Sequence, residues 1–179
     1  MRLRGQGEVS FRKNFDDNAS KFASGADLLI FQETSNKIRD LAFFQEHGAS
    51  FRFISIDGSH ERDDVLFDLA SAEQLLANKG IIALDDFCSV YNPGVTEAAV
   101  EYFTKGDHNL VPFAVCENNL PVRRFGGSKL FICRKDSARF YLDAMKARHP
   151  GVGDVGVKFG GHRTSVFSFD GEPFKKRQL

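Results

Sequence analysis

The chain has 179 residues, 42% apolar and 27% charged, the balance of an ordinary globular protein of one domain. Lys+Arg and Asp+Glu are both 24, so the formal charge is balanced and the electrostatic footprint of a nucleic-acid binder is missing. Cys88, Cys116 and Cys133 are odd in number, widely spaced and free of CxxC pairs, which argues against a disulfide framework or zinc knuckle and for reduced thiols in a cytoplasmic protein. The basic N-terminus lacks an apolar run and no stretch nears the ~20 apolar residues of a span, so neither a secretory signal nor a membrane partner is expected.

Residues 1–25 are polar, with a broken apolar pattern, and read as an irregular or weakly helical segment. The texture changes at Ala26. Ala26–Phe31 is a short apolar run, read as a buried strand that empties into the loop Gln32–Ser35. Ile38, Leu41, Ala42 and Phe44 recur at helical spacing until Gly48. Phe51–Asp57 reads as a second strand, closed by Gly58, and Ser59 as the N-cap of a helix bearing Val65, Leu69, Ala72 and Leu76 on one face.

Asn78-Lys79-Gly80 is expected to end that helix, and Gly80–Asp85 to form a third strand. The loop Asn92-Pro93-Gly94 precedes a helix over Val95–Phe103. Strands follow over Leu110–Cys116 and Lys129–Cys133, separated by a polar loop containing Gly126-Gly127. A helix over Ser137–Arg148 and a strand over Thr164–Phe169 complete the chain. Strands alternating with helices predict an α/β fold with a mostly parallel sheet flanked by helices.

Two strands end in acids: Ile56-Asp57-Gly58-Ser59-His60 and Leu84-Asp85-Asp86. In a parallel α/β sheet the C-terminal strand ends share one edge, where ligands bind. If the two strands are neighbours, ~4.8 Å apart, Asp57 and Asp85 or Asp86 come within reach of one ion. Such an oxygen-only cluster suits Mg²⁺ or a similar hard cation. His60 follows Asp57 by three residues and is a candidate general base. Asp63 and Asp64 fit the plainer role of charges at a helix N-terminus.

Three stretches carry a resemblance: Ile56–His60 with Asp68-Leu69-Ala70, Leu75–Gly80, and Ile81–Asp86. Together they resemble class I S-adenosylmethionine-dependent methyltransferases with a Rossmann-like sheet, and more narrowly the metal-dependent O-methyltransferases that modify macrolide sugars. The resemblance implies Asp57, Asp85 and Asp86 as metal ligands, with Mg²⁺ as the expected ion, and His60 as the base. It places Gln32, Ser35 and Asp57 against the cofactor. It spans roughly residues 26–135, so residues 26–179 are expected to form the C-terminal part of such a domain, truncated at the N-terminal side.

Ahead of residue 26, Gly5-Gln6-Gly7 follows no strand, so the family's Gly-rich cofactor turn is not matched there. Affinity for S-adenosylmethionine is therefore expected to be millimolar or absent, and open sheet edges to favour a homo-oligomer. Gly151-Val-Gly-Asp-Val-Gly156 has the GxGxxG pattern but follows no strand and opens no helix, so it reads as a loop. Arg123-Arg124, Lys175–Arg177, His108, His149 and His162 read as surface features.

The implied activity is methyl transfer from S-adenosylmethionine to a hydroxyl of a small molecule such as a glycoside. Two other classes stay open: a catalytically inactive homologue or partner module, and a metal-dependent hydrolase using the same acids on water.

Overall fold

The structure, a computed structural model, describes residues 7–22, 31, 33–116, 127–148 and 155–167. Outside them lie the strand expected over Ala26–Phe31 (all but its last residue), Gln32, Arg123, Arg124, Gly126, His149, the start of the run from Gly151, residues 168–169 of the last expected strand, and Lys175–Arg177. The chain divides into two compact units, Met1–Glu33 and Thr34–Leu179.

The first unit contains helix α1, Gly7–Phe22, where the sequence suggested at most weak helicity. Lys13 Nζ lies 2.7 Å from Asp17 Oδ2 one turn on, and Lys21 sits in the last turn, where a cation faces the negative end of the helix dipole.

The second unit is an α/β layer structure. A 3₁₀ turn, Ser35–Asp40, leads into the short helix α2, Ala42–Glu46. The single helix expected here is broken at Leu41, whose extended backbone (φ −77°, ψ 136°) separates the two pieces. Then come β1 (Phe51–Ile56), α3 (Arg62–Leu75), β2 (Leu76–Phe87), α4 (Pro93–Lys105), β3 (Leu110–Cys116), β4 (Ser128–Arg134), α5 (Ala138–Arg148), β5 (Val155–Phe159) and β6 (His162–Phe167).

Two boundaries move. Glu61, not Ser59, occupies the N-cap of α3; the Ser59 hydroxyl instead accepts the Glu61 N–H at 3.2 Å, holding a tight turn. Asn78–Gly80 does not end the helix but belongs to β2, whose early carbonyls are taken by side chains: Arg134 Nη2 donates to Leu76 O at 2.7 Å and Tyr141 donates to Lys79 O.

The sheet order is β1-β2-β4-β3-β6-β5. β1 pairs parallel with β2 and β3 with β6, while β4 runs antiparallel to both β2 and β3 and β5 antiparallel to β6. Hence β1, β2, β3 and β6 all point one way, the mostly parallel α/β arrangement expected of a methyltransferase-like fold. Strand β5 was not anticipated. It joins β6 through Gly160-Gly161, with φ +54° and +82°, the left-handed pair that a two-residue hairpin turn demands.

One face of the sheet carries α3 and α4. Val65, Leu69 and Ala72, at spacings of four and three, meet Ile82, Leu84, Leu130 and Ile132. The other face buries Phe113, Cys133 and Phe167 beneath Tyr141, Leu142 and Met145 of α5. Arg62 bridges α3 to Glu101 of α4, donating from Nε at 2.8 Å. With both faces covered, the open edge at the C-terminal strand ends is left to hold the polar groups.

His108 is not the surface residue that the sequence suggests. It is half-buried, stacks on Tyr102 (ring centroids 3.9 Å apart) and bonds through Nδ1 to Glu73 Oε2 at 3.1 Å. The cysteines are free; Cys133 is buried, Cys116 partly so, and Cys88 is exposed. No described helix is long and apolar enough to cross a membrane.

Candidate functional site

Three side chains converge at the C-terminal edge. Buried Ile56 ends β1, and the chain emerges at Asp57, with the Ser59 turn placing His60 over the end of the neighbouring strand. The closest side-chain nitrogens and oxygens of Asp57, His60 and Asp86 all lie within 4.8 Å of one another. His60 Nε2 stands 2.9 Å from Asp86 Oδ2.

Asp85 goes elsewhere. Its Oδ2 pairs with Lys129 Nζ of β4 at 2.5 Å, and its Oδ1 accepts the Asp86 N–H at 3.0 Å. Side chains alternate along a strand, so two adjacent acids serve opposite sides. The choice between them is made by a register irregularity between Leu84 and Phe87, where Asp86 takes a left-handed φ of +54°. That turn carries the Asp86 carboxylate to His60.

Asp86 is held from three sides. Its Oδ1 accepts the Gly127 N–H at 3.1 Å, and its Oδ2 accepts Asn92 Nδ2 at 2.9 Å beside His60. A carboxylate offers about four lone-pair sites, so these donors leave room for one further positive partner.

Asp57 also lines a cavity of about 420 Å³ between β1, α3 and the 3₁₀ turn. Its walls combine apolar Ile38, Ile54 and Leu75 with polar Ser35, Asp68 and Ser71. Thus two of the three residues placed against the cofactor, Ser35 and Asp57, share one cavity, while Gln32 lies outside the described residues. Burial pushes the Asp68 carboxyl above its ordinary range, the Asp64 charge adds to that, and a hydrogen bond from Ser35 opposes it. A larger open groove of about 570 Å³ runs along α4 past Val90 and Val100, and holds none of the sequence's candidate residues.

Sequence reasoning missed Asp68, Asn92 and Gly127. Asp68 stood inside the resembling stretch without a role, and Asn92 and Gly127 read as loop residues without a site role. Their contacts with Ser35 and Asp86 cross between chain segments, which no local pattern reveals.

Residues 7–87, a little under half of the chain, match the model of a family described as a methyltransferase domain. The match supports a methyltransferase domain in this chain. It takes in α1, the cavity residues Ser35, Asp57 and Asp68, and the whole converging set Asp57, His60 and Asp86. No curated protein and no solved structure matches the chain.

Proposed function

We propose that this methyltransferase domain transfers a methyl group from S-adenosylmethionine to a hydroxyl of a small molecule, a sugar hydroxyl being the favoured acceptor, with a divalent cation assisting. The observation that carries the reading is Asp57, which belongs both to the acidic His-containing cluster and to the cavity beside it. Two reactants held at adjoining places are what an in-line transfer needs.

The donor set fits a hard cation: two carboxylates within reach of each other, one still having an open lone-pair site. Asp57 and Asp86 would hold it, with Asp85 committed to Lys129. The apolar-walled cavity, with Ser35 and Asp57 at hand, fits a nucleoside with a polar tail, and its volume lies in the usual range for small-molecule sites. When bound, the cation supplies charge that acidifies a hydroxyl, and S-adenosylmethionine supplies the electrophilic methyl.

The chain's own part is proton handling and orientation. A carboxylate only accepts, so His60 donates its Nε2 proton to Asp86, which leaves Nδ1 with a lone pair. Nδ1 takes the hydroxyl proton as the oxygen attacks, and Asp86 stabilises the imidazolium that results. Ser35, and by the same resemblance Gln32, would orient the cofactor.

Calorimetric titration with Mn²⁺ tests the ligand set. Asp57→Ala and Asp86→Ala should each lose binding, whereas Asp85→Ala should retain it within a few-fold. Equal affinity in all these variants and the unaltered protein would remove the cation from the account.

A further inference from the structure

The geometry points to Asn92 and Gly127 as positioning residues for Asp86, fixing where its carboxylate stands and so how tightly the edge holds a cation. This rests on the cation reading above and names the residues that set its strength.

Asn92 is the N-cap of α4, a place where an Asn side chain ordinarily accepts an N–H from the first helical turn. Here it makes no such bond. Its amide is spent on Asp86 Oδ2 instead, at 2.9 Å. The helix start forgoes its own cap and holds a carboxylate.

Gly127 approaches from the opposite direction. Its N–H donates to Asp86 Oδ1 at 3.1 Å, and a Cβ at this position would lie 2.6 Å from the Asp86 carbonyl carbon. Only a glycine lets β4 enter the sheet that close to Asp86. On the partner side, a Cβ at Gly94 would lie 2.5 Å from the His60 carbonyl oxygen, so the start of α4 presses on the His60 loop as well.

Asp86 needs such support. A non-glycine residue in left-handed backbone is strained, and such strain persists only where the surroundings over-determine it. Asn92 and Gly127 are those surroundings: one donor on each carboxylate oxygen, from elements on either side. Together they stop the side chain from rotating away from Asp57 and His60. Groups that orient a ligating carboxylate typically change metal affinity 10–100-fold when removed.

The test is Mn²⁺ affinity of the full chain, read by the loss of the free-ion electron paramagnetic resonance signal. It compares the unaltered protein, Asn92→Ala and Asp86→Ala. Asn92→Ala is the deciding change, because Gly127→Ala forces backbone apart and risks unfolding. The expected result is a 10–100-fold weaker Mn²⁺ site in Asn92→Ala, measured at a temperature where circular dichroism shows both proteins fully folded. A residue acting only on helix stability would lower the thermal midpoint and leave the affinity alone. If Asn92→Ala binds Mn²⁺ as tightly as the unaltered protein, the positioning role is wrong and the cation reading stands. If the unaltered protein binds no Mn²⁺, the cation reading falls and this inference with it.

Discussion

The imidazole Nε2 of His60 and the carboxylate Oδ2 of Asp86 lie 2.9 Å apart, joining the loop after β1 to the end of β2. The contact is side chain to side chain between residues 26 positions apart in sequence, and it turns Nε2 of the ring toward the carboxylate. In the proposed transfer, with the Nε2 proton given to the carboxylate, Nδ1 would be the nitrogen that accepts the hydroxyl proton, and Asp86 would compensate the charge that arrives.

His60→Ala should therefore cut methyl transfer to a hydroxyl acceptor by about 10²–10⁴-fold, the usual worth of a positioned base. Binding of S-adenosylhomocysteine should change by no more than a few-fold, since His60 is not among the cavity's lining residues. Turnover and binding are measured on the same preparation. Unaltered turnover in His60→Ala would assign the proton transfer to another group.

Asp68 gives a prediction in pH. Burial first, then the Asp64 charge, raise its carboxyl in the folded protein, against the bond from Ser35. A raised folded-state pKa means that the folded form holds the proton more tightly than the unfolded one. The resulting stabilisation is complete below the ordinary carboxylate value of about 3.9 and is lost as pH rises through the raised value. Asp68→Asn keeps the shape and cannot ionise. From about pH 4 upward, the thermal midpoint of the unaltered protein should fall relative to that of Asp68→Asn. Parallel midpoint curves for the two proteins would show that Asp68 feels no such burial.

The cluster far from the acidic edge predicts a stability effect. Tyr102 donates to Glu73 Oε2 at 2.6 Å, His108 meets the same oxygen, and the Asn109 N–H reaches Glu73 Oε1 at 3.3 Å. Burial, followed by the bond to Glu73 and its charge, pushes the Tyr102 hydroxyl far above its ordinary range. Tyr102→Phe removes one hydrogen bond to a charged acceptor and should cost about 1.5–3 kcal/mol in urea unfolding, with Mn²⁺ affinity unaffected. A loss below the measurement error would mean that water replaces the hydroxyl without penalty.

Much of the site's framework was legible because it is written locally. Apolar runs that end in Asp57 and Asp85-Asp86 announce two strand ends, and Val65, Leu69 and Ala72 announce the helix between them. The selection of Asp86 over Asp85 was not legible. It depends on an irregular register and on a donor, Lys129, that arrives from another strand. The Asp86 contact of Asn92 and the buried setting of His108 were not legible for a related reason: each looks like a plain loop residue until its partner, Asp86 or Glu73, is brought in by packing. The strand at Val155–Phe159 was hidden by the glycines around it, since glycine weakens a strand pattern even when a neighbouring strand pairs with it.

In the proposed function the cavity beside β1 takes the cofactor and the acidic edge next to it performs the transfer. This arrangement is tested most directly by a ¹⁵N–¹H correlation titration with S-adenosylhomocysteine. The amide signals of Ser35, Ile54, Asp57 and Asp68 should shift together along one binding curve with a midpoint in the millimolar range, while those of Val90 and Val100 in the α4 groove stay in place. Shifts centred on the α4 groove, or an unchanged spectrum at saturating ligand, would contradict it.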